Sequence, residues 1–145
     1  MKYYLLVLTT FFYSCGSSAV IKKSLENELQ YQLKEADSAK LIFEVKNLPK
    51  RVIAFFKQEY IVLADTGKYY NATDLRFDYT TPNARIVFGG SVSKDFGFAL
   101  YESQGITTQS HLLIFKFQEA KEIYVERKII NCRPVDFLSL KNCLR

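Results

Sequence analysis

Between Lys40 and Ile130 the chain is a succession of short apolar-rich segments, each closed within a few residues by a turn signal, with no gap long enough for a parallel crossover. Leu41, Phe43 and Val45 alternate with Ile42, Glu44 and Lys46, and Leu48-Pro49 stops that strand. Val52 to Phe56 is a continuous apolar run that reads as a strand buried on both faces, and Tyr60 to Ala64 leads into the turn Asp65-Thr66-Gly67-Lys68. Further strands are expected at Leu75 to Tyr79, Arg85 to Phe88, Phe96 to Tyr101, Leu112 to Phe117 and Glu122 to Ile130. Turns separate them at Thr81-Pro82-Asn83, Gly89-Gly90, Gln104-Gly105 and Gln118-Glu119. The fold class is therefore mainly β, all-β to α+β: an antiparallel meander of about eight strands, built as a sandwich or a barrel. Aromatic residues make up 15% of the chain, twelve Phe and ten Tyr with no Trp, which supplies both strand propensity and bulk for a core.

Two segments break the strand pattern. Ile21, Leu25, Leu29 and Leu33 recur every four residues among polar neighbours, with Ser24 placed as an N-cap, and predict an N-terminal amphipathic helix that covers one face of the sheet. After Pro134, Val135 to Lys141 reads as one or two helical turns capped by Asp136.

Ahead of the helix the sequence carries a targeting signal. Met1-Lys2 is a short positive start, and Tyr3 to Tyr13 is an uncharged, mostly apolar stretch, too short for the ~20 residues that a spanning helix needs. It ends in Ser14-Cys15-Gly16-Ser17-Ser18. Here the chain resembles the signal sequences of bacterial lipoproteins, in the relaxed form found in the Bacteroidetes. The resemblance implies cleavage before Cys15, lipidation of its thiol, and anchoring to a membrane of the cell envelope. An ordinary signal peptide cut after Ala19 is the alternative, and it exports a secreted or periplasmic soluble protein. The organisation is then a signal peptide over 1–14, a lipidated Cys and tether over 15–20, and a single β-rich domain over 21–145.

Once Cys15 is lipidated or removed, Cys132 and Cys143 remain as an even pair in an oxidising compartment, and a disulfide is the natural pairing. Two buried thiols or half of a metal site are the alternatives. With His111 as the one histidine and no Cys-x-x-Cys, no metal site and no cofactor are expected.

The search for chemistry yields few candidates. Ile61 to Gly67 resembles the Asp-Thr-Gly loop of retroviral-type aspartic proteases, in which two copies of the Asp share a proton across a dimer, making Asp65 the catalytic residue of a hydrolase. The competing reading is a hairpin turn in which Asp65 accepts backbone hydrogen bonds and Gly67 supplies a positive φ. His111 has no Gly-x-Ser-x-Gly elbow to serve and reads as a surface or half-buried residue. Asn71-Ala72-Thr73 matches a glycosylation acceptor but reads as a turn, and Gly89-Gly90-Ser91 lacks the helix a phosphate loop needs. No catalytic residue is assigned. Tyr69, Tyr70, Tyr79 and Tyr101 are the candidates for an aromatic platform that binds glycan or peptide.

The net charge of +5 is spread along the chain, with no basic run longer than Lys22-Lys23 or Arg127-Lys128, so nucleic acid is not an expected partner. Three functions follow in order: a non-enzymatic envelope lipoprotein that binds or assembles with a protein or glycan partner, a carrier of a small apolar ligand in a barrel, and a hydrolase using Asp65.

Overall fold

A computed structural model describes residues 27–71, 80–104, 107–118 and 122–144. Residues 27–35 form helix α1, in which Leu29 and Leu33, one turn apart, are completely buried while Tyr31 stays exposed. The predicted N-cap Ser24 and the first half of the stripe lie outside the described residues, as do Cys15, its tether and the strand expected at Leu75 to Tyr79.

Strand β1, Lys40–Ile42, is followed by a 3-10 turn over Val45–Asn47 and by helix α2, Lys50–Gln58. The apolar run Val52 to Phe56, expected as a strand, is thus the middle of a helix. Val52 and Phe56 are buried at helical spacing, Lys50, Arg51 and Lys57 face solvent, and Pro49 stands at the N-cap. The strand expected to run up to Leu48-Pro49 ends already at Ile42, and Pro49 opens a helix, because its ring fixes a φ that a helix start accepts. Tyr60, at a φ of 56°, breaks the chain away from α2, so the strand expected from Tyr60 to Ala64 shrinks to β2, Leu63–Ala64.

The long strands are β3, Ala84–Ser91; β4, Phe96–Gln104; β5, Thr108–Gln118; and β6, Glu122–Ile130. They form the antiparallel meander that the turn spacing predicts, in the order β1-β3-β4-β5-β6, with β2 lying parallel to the start of β3. Gly89 and Gly90 are not a turn. They sit inside β3, where Gly90 faces Leu41 on one side and Phe98 on the other, and the chain reverses later, where the Val92 and Ser93 N–H groups both donate to the Phe96 carbonyl at 3.0 Å.

The sheet does not close into a barrel. It forms one layer, with a separate core on each face and helices over both. On one face α1 and α3, Phe137–Cys143, cover Phe88, Phe98, Leu100, Leu112 and Ile114. On the other, α2 covers Ile86, Ala99, Tyr101, Leu113 and Phe115. Alternation along each strand feeds both cores, which is why β5 reads as Leu-Leu-Ile-Phe with every side chain buried. α3 starts as predicted at Asp136, whose carboxylate accepts the Ser139 N–H at 2.7 Å while the Ser139 hydroxyl answers the Asp136 N–H at 3.0 Å. The Asp136 carboxyl is held below its ordinary range by those Ser139 hydrogen bonds. Cys132 and Cys143 are joined in a disulfide, Cα to Cα 6.1 Å, tying the end of α3 to the exit of β6. Among the described residues no helix is long and apolar enough to cross a membrane.

Candidate functional site

The feature of the surface best built for contact is the free edge of β1. β1 pairs with β3 through Lys40–Ser91, Leu41–Gly90 and Ile42–Gly89, and no strand among those described lies on its other side. The chain just beyond β1 is fastened by the Asp-Thr-Gly segment. The Val45 N–H donates to Asp65 Oδ1 at 2.6 Å, and the Phe43 carbonyl accepts the Thr66 N–H at 3.1 Å. The Thr66 hydroxyl lies 2.9 Å from the carbonyls of both Phe43 and Val87 and shares its proton between them. Gly67, at a φ of 74°, lets the loop turn back so that the Lys68 N–H reaches the Asp65 carbonyl at 3.0 Å. Asp65 is therefore a clamp on the end of β1 that satisfies a main-chain donor, in keeping with the turn reading of this motif.

The register of β3 fixes which backbone groups of β1 face out. The Gly90 carbonyl lies against Gly97 and the Val92 N–H donates to the Phe96 carbonyl, so Gly90 and Val92 turn their polar groups to β4 and, by alternation, Gly89 and Ser91 turn theirs to β1. Ile42 and Lys40, opposite Gly89 and Ser91, therefore face inward, and Leu41 is left with its N–H and carbonyl directed at the open edge. Beside them Leu41 is 36% and Phe43 48% exposed, unusual for large apolar side chains in a strand. An open groove of about 690 Å³ runs along this edge, lined by residues 40–44 and closed by Asn47, Pro49 and Ser91. Lys40 stands at one end and Glu44 at the other. Glu44 Oε2 accepts from Lys46 at 2.8 Å and from Asn47 at 3.2 Å.

The tyrosines proposed as a platform do not share a surface. Tyr69 is 81% exposed, whereas Tyr70 is buried with its ring 5.2 Å from the guanidinium of Arg85, which in turn pairs with Glu102 at 2.9 Å. Burial, with the Glu102 charge behind it, raises the Tyr70 hydroxyl above its ordinary pKa. Tyr101 is a core residue, 1% exposed, edge-on to Phe56 at 5.1 Å and stacked on His111 at 4.9 Å. It lies on the α2 face because β4 sends its odd-numbered residues there. Tyr79 lies outside the described residues.

One pairing that the sequence did not signal joins β4 to β5: Ser103 Oγ and His111 Nε2 are 2.8 Å apart. Burial, and then the nearby Arg127 charge, pushes the imidazole below its ordinary pKa and keeps it neutral. Its Nδ1 is buried without a hydrogen-bond partner among the described residues, so no carboxylate orients it as a catalytic base. Among the described residues no three or more of His, Cys, Asp and Glu gather as a metal site. Comparison with known proteins finds no matching family model, no similar curated protein and no similar solved structure.

Proposed function

We propose that the protein is an envelope lipoprotein, anchored to a membrane through Cys15, whose domain is a non-enzymatic assembly module that presents the β1 edge to an extended polypeptide. The observation that carries the reading is the open edge itself, with its outward Leu41 backbone groups, exposed Leu41 and Phe43 side chains, and adjoining groove. A strand edge offers main-chain donors and acceptors at the repeat of another strand, and pockets for alternate side chains, which suits a polypeptide better than a glycan. The Cys132–Cys143 disulfide supports export to an oxidising compartment. The lipid-anchor part rests on Ser14-Cys15-Gly16 behind its apolar segment. Lipidation at Cys15 places the domain close to the bilayer, since residues 16–26 span at most about 40 Å when fully extended.

Two measurements test this. A fatty-acid probe fed to cells should label the wild type and not Cys15→Ala, and equal labelling of both removes the anchor. A photo-crosslinking side chain at position 41 should capture polypeptide, while the same group in place of Leu138, which is more exposed and lies on α3, should not. Capture from neither position, or from both alike, removes the strand edge as the binding face.

A further inference from the structure

The sheet ends on the side away from β1 at β6, with nine residues against three in β1, and no strand among those described pairs with its outer side. Which of its backbone groups face out follows from β5. The Phe117 N–H donates to the Asp95 carbonyl at 2.8 Å, so Phe117 turns its polar groups to the β4 side. By alternation Leu113 and Phe115 do the same, while Leu112, Ile114 and Lys116 turn theirs to β6. Glu126 and Lys128, opposite Ile114 and Leu112, are therefore bonded to β5, and Val125, Arg127 and Ile129 direct their N–H and carbonyl groups at the open edge. We infer that this edge pairs antiparallel with the β6 edge of a second copy of this chain, joining two sheets into one across a two-fold axis centred on Arg127.

About that axis β6 is complementary to itself. Val125 falls opposite Ile129 and Glu126 opposite Lys128, and symmetry makes each contact twice. Val125 and Ile129 share the α2 face of the sheet, where Ile129 is 54% exposed in the single chain and gains apolar cover from the second copy. Glu126 and Lys128 share the other face and meet their opposites at the closely spaced, non-hydrogen-bonded positions of the new ladder. The Gln30 amide of α1 already holds these two charges side by side, its Nε2 donating to Glu126 and its Oε1 accepting from Lys128. Charges on an edge strand ordinarily keep it from pairing, and this order of signs turns away strands of other sequence while admitting its own copy. Register follows from the same charges, since an axis on Glu126 or on Lys128 sets like charge against like. Arg127 meets its counterpart on the axis, but its guanidinium is engaged on its own side by Glu59 Oε2 at 3.6 Å, at the end of α2. The inference depends neither on lipidation nor on the strand-edge reading of β1, and it leaves both β1 edges of the pair open.

The test is a cysteine bridge in the full chain, in its own cells, joined to hydrogen exchange on the wild type purified from them. Arg127→Cys places two thiols across the axis at a Cα separation of about 5.5 Å, inside the range a disulfide spans, and mild oxidation should give a covalent dimer. Ile129→Cys should not bridge to itself, because its counterpart lies four residues further along the ladder at about 3.4 Å per residue, beyond about 7 Å. Adding Lys128→Glu to Arg127→Cys sets carboxylate against carboxylate twice and should lower the dimer yield on the order of tenfold. Adding Glu126→Lys as well restores opposite charges, which the Gln30 amide serves by turning over, and should restore the yield. In the wild type, which needs no substitution to fold, the Arg127 and Ile129 amides should exchange on the order of tenfold more slowly in concentrated than in dilute solution. No bridge from Arg127→Cys, a bridge as strong from Ile129→Cys, or a yield indifferent to Lys128→Glu overturns the inference. So does a swapped chain that keeps its fold without regaining the dimer. Where the swapped chain loses its fold the wild-type exchange decides, and fast exchange of the Arg127 and Ile129 amides at every concentration overturns the pairing.

Discussion

Gly90 is the residue on which the position of the β1 edge most directly depends, and Gly90→Ala tests how tightly the sheet beneath it is packed. A Cβ at Gly90 would stand 2.5 Å from Phe98 Cε1, 2.7 Å from Phe98 Cζ and 3.1 Å from the Ala39 Cβ. The ring cannot easily give way. Phe98 is fully buried, edge-on to Phe88 at 5.9 Å and stacked on Phe137 at 5.5 Å, so moving it displaces α3 as well. Overpacking of a tight core costs about 1 to 3 kcal/mol, and a contact this short against a ring held on two sides belongs at the upper end, near 3 kcal/mol. For a chain of this size that is a drop of about 10 to 15 °C in thermal midpoint. Urea denaturation of Gly90→Ala, Phe98→Leu and the double variant measures it. Phe98→Leu alone should cost about 1 to 2 kcal/mol for the atoms it removes, yet it makes room for the new methyl, so the double variant should be more stable than the sum by about 1 kcal/mol or more. If Gly90→Ala lies within ~0.5 kcal/mol of wild type, or the two changes simply add, the close approach of β3 to Phe98 is not what holds the edge in place.

Leu29→Ala should destabilise the domain by about 2 to 5 kcal/mol in the same assay, because Leu29 is completely buried between α1 and the sheet; an unchanged midpoint would mean that α1 does not contribute to the core. Asp65→Asn keeps an acceptor for the Val45 N–H and should cost about 1 kcal/mol or less, whereas Asp65→Ala strands that donor and should cost about 1 to 3 kcal/mol; equal losses from the two would refute the clamp. His111 is held neutral in the folded protein with its pKa below that of the unfolded chain, so protons bind the unfolded state first. Stability should be full above about pH 6.5 and fall as pH drops through that value, and His111→Gln should flatten the slope between about pH 7 and 5.

The strands of the meander were legible in the sequence because alternation and turn residues both mark them, and β6 runs from Glu122 to Ile130 as the pattern predicts. The cap at Asp136 was legible for the same reason, since one side chain and one N–H suffice to define it. Val52 to Phe56 misled because five consecutive apolar residues satisfy a buried strand and a buried helix turn equally. What decides is the flanking Pro49 and the i, i+4 spacing of the two buried residues. Gly89-Gly90 misled because glycine signals either a turn or a close approach, and only the tertiary position of Phe98 selects the second. The residues of the candidate site were visible as one more alternating strand. That β1 lies at an edge is a property of strand order, which no local pattern encodes, and the Ser103–His111 pair likewise exists only once the β4–β5 register is set. The tyrosines show the converse: Tyr69 and Tyr70 are neighbours in sequence, yet one is solvated and the other buried.

One face of the sheet is roofed by the first and last helices of the described chain, and these two touch: Lys141 Nζ donates to the Ala36 carbonyl at 2.8 Å, and Leu29, Leu33, Leu140 and Leu144 share a core. The core on this face is therefore complete only when both helices are in place. A chain made only as far as β6 holds every strand among those described and still leaves Phe98, Leu112 and Ile114 without part of their cover. Cover on this face waits for α3, so a chain cut short ahead of Phe137 leaves an exposed core that marks it for proteolysis.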